Sequence, residues 1–180
     1  MEQDTVVVET LKTMLRQRGV SADAVEEIGT GDRTMKIGEY LITFSKKSRI
    51  GPGEIEEFTK LMADNGTTRG IFIVESRPSA SIVKLFRANT AALQIFHKKQ
   101  LLFDITTHRK VSPHRILNTE EKNAVLEKYR ANPDFMPQID SQDAMAKWIG
   151  ARPGDIVEIL RKSETAGSTP YYRVCVESVS

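Results

Sequence analysis

Residues 153–177 read PGDIVEILRKSETAGSTPYYRVCVE, and this stretch decides the fold of the C-terminal part of the chain. Pro153-Gly154 predicts a turn. Residues 155–161 are apolar and β-branched enough to form a strand. Residues 163–170 are polar and predict a connection, after which residues 171–177 have strand character again. The stretch therefore predicts two strands of one small sheet.

Two helices are predicted upstream of that pair of strands. Asn118 and Glu121 stand three residues apart, which is the spacing of a capping box at the start of a helix. This helix is expected to run to about residue 130, and a shorter one to begin near residue 140 and to end at Gly150. Residues 108–180 therefore predict a small α+β domain.

The first 107 residues alternate between two kinds of apolar pattern. Apolar residues at spacings of three and four predict helices, and short runs of apolar and β-branched residues predict strands. The helices are expected at residues 1–18, 54–65 and 79–88, the strands at 40–44, 71–74, 93–96 and 101–105, and a turn at 29–33. This alternation predicts an α/β domain, with a mixed sheet flanked by helices, over residues 1–107.

Composition excludes several classes of protein. The chain has 180 residues and a net charge of +2, and its 39% apolar residues are a low share that still suffices for a core. The 28% charged residues, spread through the chain, indicate a soluble globular protein. No run approaches the roughly 18 apolar residues of a membrane span, and no secretory leader is expected. The single cysteine, Cys175, lies between two valines and is expected to be a buried structural thiol in a reducing compartment.

One segment carries a local excess of positive charge. Between residues 84 and 115 there are seven basic residues, all three histidines and only one acid, Asp104. This segment predicts either a surface that faces phosphates or an ordinary solvated face. The basic residues are Lys84, Arg87, Lys98, Lys99, Arg109, Lys110 and Arg115.

No catalytic constellation stands out. The histidine spacings match no helical pair of metal ligands. A metal-dependent nuclease needs an acid on one strand and an acid-x-lysine on the next, but Phe44 precedes Lys46 by two residues, and Glu120-Glu121-Lys122 begins a helix. We therefore expect neither catalysis nor a bound metal or cofactor, and such a nuclease remains an alternative.

The C-terminal motifs resemble one family. In order and spacing they are similar to the fifth subunit shared by eukaryotic RNA polymerases I, II and III, and to its small archaeal counterpart. The loop Ser163-Glu164-Thr165-Ala166-Gly167, followed by Tyr172-Arg173, is the most specific element. The other motifs are Pro113-His114-Arg115-Ile116-Leu117, Glu120-Glu121-Lys122, Tyr129, Met136-Pro137-Gln138-Ile139, Asp143, Gly150 and Gly154-Asp155-Ile156-Val157-Glu158-Ile159.

The resemblance continues upstream into the first domain. Gly70-Ile71-Phe72-Ile73-Val74 and the segment from Leu101 to His108 look like the core strand and the exit segment of the eukaryotic subunit's N-terminal domain. The archaeal counterpart lacks this domain, so the chain looks like the eukaryotic form, although it is shorter near the N-terminus. A compact copy carried by a large DNA virus is one origin that fits this length.

The resemblance implies a non-catalytic polymerase subunit. In this family the N-terminal jaw domain lies beside downstream duplex DNA, and the C-terminal assembly domain docks on the largest subunit. The resemblance therefore implies other polymerase subunits and DNA as partners, no membrane, and the nucleus as location, or a virion or viral factory for a viral source. A free-standing adaptor that binds polymerase is a further alternative.

Candidate site residues follow from the resemblance and from side-chain chemistry. Arginines can make two hydrogen bonds to one carboxylate, and the polar loop offers hydroxyls and backbone groups to a partner. The expected docking residues are Arg152, Arg161, Ser163, Glu164, Thr165, Gly167 and Arg173. The expected DNA-facing residues are Lys84, Arg87, Lys98 and Lys99.

The chain departs from the family's pattern at a few positions. Ala144 stands where the family usually has proline, Trp148 where it has tyrosine, and Ser168 and Thr169 where it has a basic and an aromatic residue. Trp148 is expected in the core. Pro170 has no N–H for a strand ladder, so it is expected to delay the return strand by a residue.

Overall fold

The computed structural model describes residues 2–28, 33–45, 47, 50–88, 92–163 and 167–177, and for residues 2, 3, 162 and 163 it describes the backbone alone. The chain divides into two compact units, Met1–Asp104 and Ile105–Ser180. These are called the first and the second unit below. No helix in the described part of the chain is long and apolar enough to cross a membrane.

The first unit is an α/β structure with a mixed sheet, as the sequence predicts, and this sheet has five strands. Its sheet has the order β1-β2-β3-β4-β5, in which β1 to β3 are antiparallel and β3 to β5 are parallel. The elements are α1 (Glu2–Gln17), β1 (Glu26–Ile28), β2 (Arg33–Ile37), β3 (Tyr40–Ser45), α2 (Pro52–Asp64), β4 (Arg69–Val74), α3 (Ala80–Ala88) and β5 (Leu93–His97).

Helices cover both faces of this sheet. Phe72 of β4 packs in one buried cluster with residues of α2 and α3. Ile73 points to the opposite face because side chains alternate along a strand. Helix α1 lies on that opposite face, where Arg18, just after its end, donates hydrogen bonds to the Tyr40 hydroxyl (3.2 Å) and to the Gln94 side chain (2.9 Å). Strand β4 is therefore buried on both sides, which explains its continuous apolar sequence.

The predicted strand at residues 101–105 is wrong. A 3₁₀ turn, Lys98–Leu101, follows β5 directly. It forms because the His97 side chain accepts the Lys99 N–H (3.1 Å) while the Gln100 side chain accepts the His97 N–H (2.9 Å). This reciprocal cap turns the chain away from the sheet. Leu101 becomes buried, whereas Phe103 stays exposed.

The hairpin of β2 and β3 was missed by sequence reasoning. Ile37 pairs with Tyr40, so the connection has two residues, and the first of them, Gly38, has a φ of +56°. Glycine adopts this conformation without strain, and such a turn suits the twist of paired strands. Of the turn predicted at residues 29–33, only Arg33 is described, and it begins β2; the rest lies outside the described residues.

The second unit is a small α+β structure, as the sequence predicts. Its four-stranded sheet has the order β6-β8-β9-β7, with β8 and β9 as an antiparallel hairpin and β7 parallel to β9. The elements are β6 (His114–Ile116), α4 (Thr119–Tyr129), β7 (Gln138–Asp140), α5 (Ala144–Ile149), β8 (Ile156–Ser163) and β9 (Gly167–Val176), with single 3₁₀ turns at Ile105–Thr107 and Pro133–Phe135.

The predicted capping box of α4 is confirmed. The Asn118 side chain accepts the Glu121 N–H, and the Glu121 carboxylate accepts the Asn118 N–H, both at 2.9 Å. Helix α5 begins a few residues later than predicted because Asp143 caps it, accepting the N–H of Met145 at 2.8 Å. It ends at Gly150, whose φ is +76°, as the sequence predicts.

Pro170 does not delay the return strand, which is a correction to the sequence prediction. Strand β9 begins at Gly167 and runs through Pro170, which lies opposite Leu160 of β8. The Leu160 N–H donates to the Pro113 carbonyl on the other side (3.0 Å), so this pair exchanges no hydrogen bonds. The missing N–H of proline therefore costs the ladder nothing, and the hairpin connection is shorter than predicted.

The core of the second unit lies between its sheet and α5. Trp148 is confirmed as a core residue: only 1% of it is exposed, and it is the largest fully buried side chain among the described residues. Cys175 is equally buried and packs with residues of β7, α5 and β8. The other members of this cluster are Ile139, Ala146, Ala151, Val157 and Ile159.

Candidate protein-docking surface

Two of the predicted docking arginines meet at one aromatic ring. In the hairpin, Ile159 pairs with Tyr171, and alternation along the strands places Arg161, Tyr171 and Arg173 on the same face of the sheet. The guanidinium carbon of Arg161 lies 4.4 Å from the centre of the Tyr171 ring, and that of Arg173 lies 5.5 Å from it. Both distances allow cation–π attraction, which holds the two charges over one ring. We call these three residues the arginine–tyrosine cluster.

Arg173 also has a role within the fold. Its Nη1 donates to the Gln138 carbonyl at 2.9 Å and so ties β9 to β7. Its Nε is buried and has no hydrogen-bond partner in the described part of the chain. Arg173 therefore holds the sheet edge as well as the Tyr171 ring, whereas exposed Arg161 is the member of the cluster that presents its charge to solvent.

The other predicted docking residues lie elsewhere. Arg152 precedes β8, and its backbone N–H donates to Asp155 (2.8 Å), so it stands at the opposite end of the hairpin from Arg161. Gly167 opens β9 with a φ of +72°. Ser163 ends β8 opposite Gly167, but its side chain is not described, and Glu164 and Thr165 lie outside the described residues.

A basic groove adjoins Arg161. It is lined by residues 106–113 together with Leu160 and Arg161, and its volume is about 550 Å³. Three cations, Arg109, Lys110 and Arg161, line it and are exposed, and no Asp or Glu of the described chain does. Sequence reasoning found the charge excess of this segment but not its juxtaposition with Arg161, because that depends on the pairing of β6 with β8.

Arg115, also part of the basic segment, is bound within the fold on the other face of the sheet. Its guanidinium pairs with Glu158 at 2.6 Å and with Glu121 at 2.7 Å. These hydrogen bonds raise the pKa of Arg115, while the Asn118 N–H and Arg115 lower the pKa of Glu121. Glu158 also accepts the Tyr172 hydroxyl at 3.2 Å. Arg115 therefore joins β6, β8 and α4 within the unit.

Sequence reasoning also missed an apolar groove beside α4. Tyr129 and Phe135 are both exposed, and Tyr129 lies 5.9 Å from the Tyr172 ring, measured between centroids. Together with Met136, Pro137 and their neighbours these residues line a groove of about 530 Å³. No helix or strand pattern in the sequence signals it, because α4 contributes none of its residues to the core.

The four predicted DNA-facing residues are placed differently. Lys84 is exposed on α3, on the face of the sheet opposite α1, while Arg87 is half-buried and Lys99 is exposed. Lys98 pairs with Asp4 of α1 at 2.7 Å and with Glu75 at 3.0 Å. Hydrogen bonds to these two carboxylates raise the pKa of Lys98. The structure therefore places the charge of Lys98 against two acids rather than beside Lys84.

The described residues contain no group of three or more His, Cys, Asp or Glu side chains arranged to hold a metal ion. Cys175 does not have the character of a nucleophile. Burial raises the pKa of its thiol to about 12, well above the ordinary value. A neutral, inaccessible thiol is a packing residue, as the sequence predicts.

We expect native Cys175 to resist alkylation. At pH 8 its thiolate fraction should be roughly a thousandfold below that of an ordinary cysteine, because the pKa is raised and the side chain is buried. Iodoacetamide labelling followed by mass spectrometry measures this, with urea-unfolded protein as the control. Equal labelling rates in the two samples would show that the thiol is accessible.

The same pKa predicts a loss of stability in alkali. The folded pKa of Cys175 lies above the unfolded one, so deprotonation favours the unfolded state. The contribution is complete below about pH 8.5 and is lost as the pH rises towards 12. Cys175→Ala should therefore show a flatter decline in unfolding free energy across this window than the parent chain does.

Comparisons with known proteins relate the second unit of this chain to subunits of RNA polymerases. Residues 103–175 match the family RNA polymerase Rpb5, C-terminal domain. DNA-directed RNA polymerase subunit Rpo5 of Pyrococcus abyssi is 57% identical over 75 residues, which are 42% of this chain and 92% of the relative. The corresponding Thermococcus onnurineus protein is 52% identical over the same fractions.

A eukaryotic relative extends beyond the second unit. DNA-directed RNA polymerases I, II, and III subunit rpabc1 of Dictyostelium discoideum is 31% identical over 139 residues, which cover 75% of this chain and 71% of the relative. These matches confirm the resemblance found in the C-terminal motifs. The chain belongs to the RNA polymerase Rpb5 family.

Proposed function

We propose that this chain is a non-catalytic subunit of a multisubunit DNA-directed RNA polymerase. The observation that carries the proposal is the 57% identity to an archaeal polymerase subunit over 92% of that subunit's length. Residues 108–180 act as an assembly domain that docks on the largest subunit. Residues 1–107 act as a jaw domain, and the location is the nucleus, or a viral factory for a viral source.

Within this proposal the arginine–tyrosine cluster is the docking element. Arg161 is exposed and already oriented on the Tyr171 ring, so little side-chain freedom is lost when it binds a partner's carboxylate. Arg173 fixes the same ring and the sheet edge. No observation on the described residues favours the nuclease or the free-standing adaptor.

Mild purification of the tagged protein from its native source tests the proposal. The expected result is stoichiometric recovery, at moderate salt, of two very large chains and a set of small subunits, identified by mass spectrometry. Recovery of the protein alone contradicts the proposal. Substoichiometric, salt-labile recovery would favour an adaptor over a core subunit. An unrelated tagged protein from the same source is the control.

We further propose that the first unit supports downstream duplex DNA by charge, without reading its sequence. The candidate residues are Lys84, Arg87, Lys98 and Lys99. The charge of Lys98 is already paired with Asp4 and Glu75, so Lys98 is expected to contribute less to DNA binding than the exposed lysines. Lys84 and Lys99 are exposed, so these two are expected to supply most of the contact.

Two sets of variants test this division. Lys84→Ala with Lys99→Ala should lower the slope of log affinity for downstream DNA against log salt by about 1.8, or 0.9 per lost phosphate contact, with stability unchanged. Lys98→Ala should instead destabilise the first unit by about 1 kcal/mol, because Asp4 and Glu75 lose their shared cation. An unchanged salt slope in the first variant would refute the DNA-facing role of these lysines.

A further inference from the structure

The basic groove lies on the second unit and combines polar lining with fixed positive charge. Three exposed cations, Arg109, Lys110 and Arg161, line a volume of about 550 Å³ without a carboxylate among the described lining residues. Thr106 and Thr107 line it as well. An uncompensated group of cations around a concave surface favours an anionic occupant.

The loop that forms the groove is tied to the sheet. The Val111 N–H donates to the His108 carbonyl at 2.8 Å, and the Pro113 carbonyl accepts the Leu160 N–H at 3.0 Å. The His114 ring nitrogen lies 2.6 Å from the Ser112 carbonyl. The first bond closes a turn around Arg109 and Lys110, and the second joins the end of this segment to β8, so the groove has internal support before a partner arrives.

Arg161 is preorganised inside this groove. The carbon of its guanidinium lies 4.4 Å from the centre of the Tyr171 ring, a contact that restricts the side chain, and the guanidinium fork can bond one carboxylate at two points. Arg109 and Lys110 supply further charge to the same groove from a different segment of the chain. Three cations that line one groove suit a chain of several carboxylates better than a single anion.

The concave shape discriminates between anionic macromolecules. Duplex DNA is a wide, convex rod, so its phosphates reach flat or protruding basic surfaces more easily than a groove of this volume. An extended acidic peptide is narrow enough to enter and carries carboxylates that match the arginine fork. The observations therefore favour protein over nucleic acid.

We propose that the basic groove binds an extended acidic segment of a partner protein, with Arg161 as its carboxylate anchor. This inference rests on the proposed docking role of the second unit, and it defines the chemistry of what is docked there. It adds Arg109 and Lys110 to the partner-binding surface and extends that surface from the arginine–tyrosine cluster into the loop before β6.

Fluorescence anisotropy with a labelled oligoglutamate peptide tests the proposal on the full-length chain. The groove variant is Arg109→Gln/Lys110→Gln/Arg161→Gln, and we expect it to bind at least roughly tenfold more weakly than the parent chain. The single variant Arg161→Lys keeps the charge but loses the planar fork, so an intermediate loss of roughly threefold is expected.

A charge-matched control separates the groove from the general positive charge. Lys60→Gln/Arg77→Gln/Lys128→Gln removes the same three charges from exposed positions outside the groove. It should bind within about twofold of the parent chain, since distant surface charges are screened by salt. Fluorescence of Trp148, the one tryptophan, checks the fold of the second unit in both triple variants, and far-UV circular dichroism checks the helices of the first unit.

Three results would overturn the proposal: no binding of the peptide to the parent chain, equal losses in the groove variant and the control, or tighter binding of mixed-sequence duplex DNA that the groove variant abolishes. The last result would give the groove to nucleic acid instead. If the peptide does not bind but polymerase subunits are still recovered with the tagged protein, this inference is refuted and the proposed function stands. Intact peptide binding without polymerase recovery refutes the proposed function instead.

Discussion

Trp148→Ala is expected to unfold the second unit while the first unit stays folded. Trp148 is 1% exposed and is the largest of the side chains by which the six-residue helix α5 packs into the core. Truncating a buried tryptophan to alanine costs about 3–5 kcal/mol. A unit of this size has a stability of only about 4–11 kcal/mol, so this one change removes a large part of it.

Hydrogen exchange read by mass spectrometry measures the effect in each unit separately. Amides of β8 and β9 should lose protection in Trp148→Ala, and those of β3 and β4 should keep it. Trp148→Tyr is the matched control, because it keeps a large aromatic ring. Full protection of β8 and β9 in the alanine variant would show that the core does not depend on this side chain.

The same variant bears on the proposed function. If the second unit is the assembly domain, its unfolding should abolish recovery of the large polymerase chains, and the tyrosine variant should retain it. Recovery that survives the loss of protection in β8 and β9 would mean that other parts of the chain make the contact. The structural and functional readouts therefore test each other.

Local interactions were the part of the fold that the sequence predicted best. The capping box of Asn118 and Glu121 and the glycine that ends α5 depend on residues within four positions of each other, so their spacing is visible in the sequence. The alternation of helices and strands in the first unit was also visible, because a strand buried on both faces leaves a continuous apolar run such as β4.

Features that depend on distant residues were not predicted. Strands β1, β6 and β7 have three residues each, which is too short for a periodic signal, and they exist through pairing with β2, β8 and β9. Pro170 is tolerated because Leu160 bonds to Pro113, a contact across 47 positions of sequence. Neither relation can be read from the residues near it.

In the candidate site too, single residues were predicted from the sequence, whereas the contact between them was not. Chemistry and resemblance singled out Arg161 and Arg173, but Tyr171, the ring that brings them together, was missed. Its signal was present in retrospect: Tyr171 and Arg173 are two positions apart on one strand, and the register of the hairpin places Arg161 beside them. The register itself could not be known while the strand was expected to begin after Pro170.

Gly70→Val is expected to unfold the first unit and leave the second one folded. A Cβ atom at Gly70 would lie 2.5 Å from the ring of Phe58, 2.6 Å from the sulfur of Met62 and 2.9 Å from a methyl of Leu93. Extra methylene groups in a packed core typically cost about 1–3 kcal/mol, and valine adds three carbon atoms against three core side chains, so the cost is expected to exceed that range. Gly53→Ala, where a Cβ meets open space, is the matched control.

The lone tryptophan makes this result easy to read. In Gly70→Val, far-UV circular dichroism should lose the signal of α1, α2 and α3, while the fluorescence of Trp148 keeps its native emission. The second unit is expected to fold independently because the Pyrococcus abyssi relative matches 42% of this chain over 92% of its own length. That relative is therefore long enough for little more than one such unit.

If the chain is the proposed polymerase subunit, Gly70→Val should still co-purify with the large polymerase chains but lose the salt-dependent contribution to downstream DNA binding. Loss of the native tryptophan emission would show instead that the two units fold together, and co-purification would then fail in both the Gly70 and the Trp148 variants.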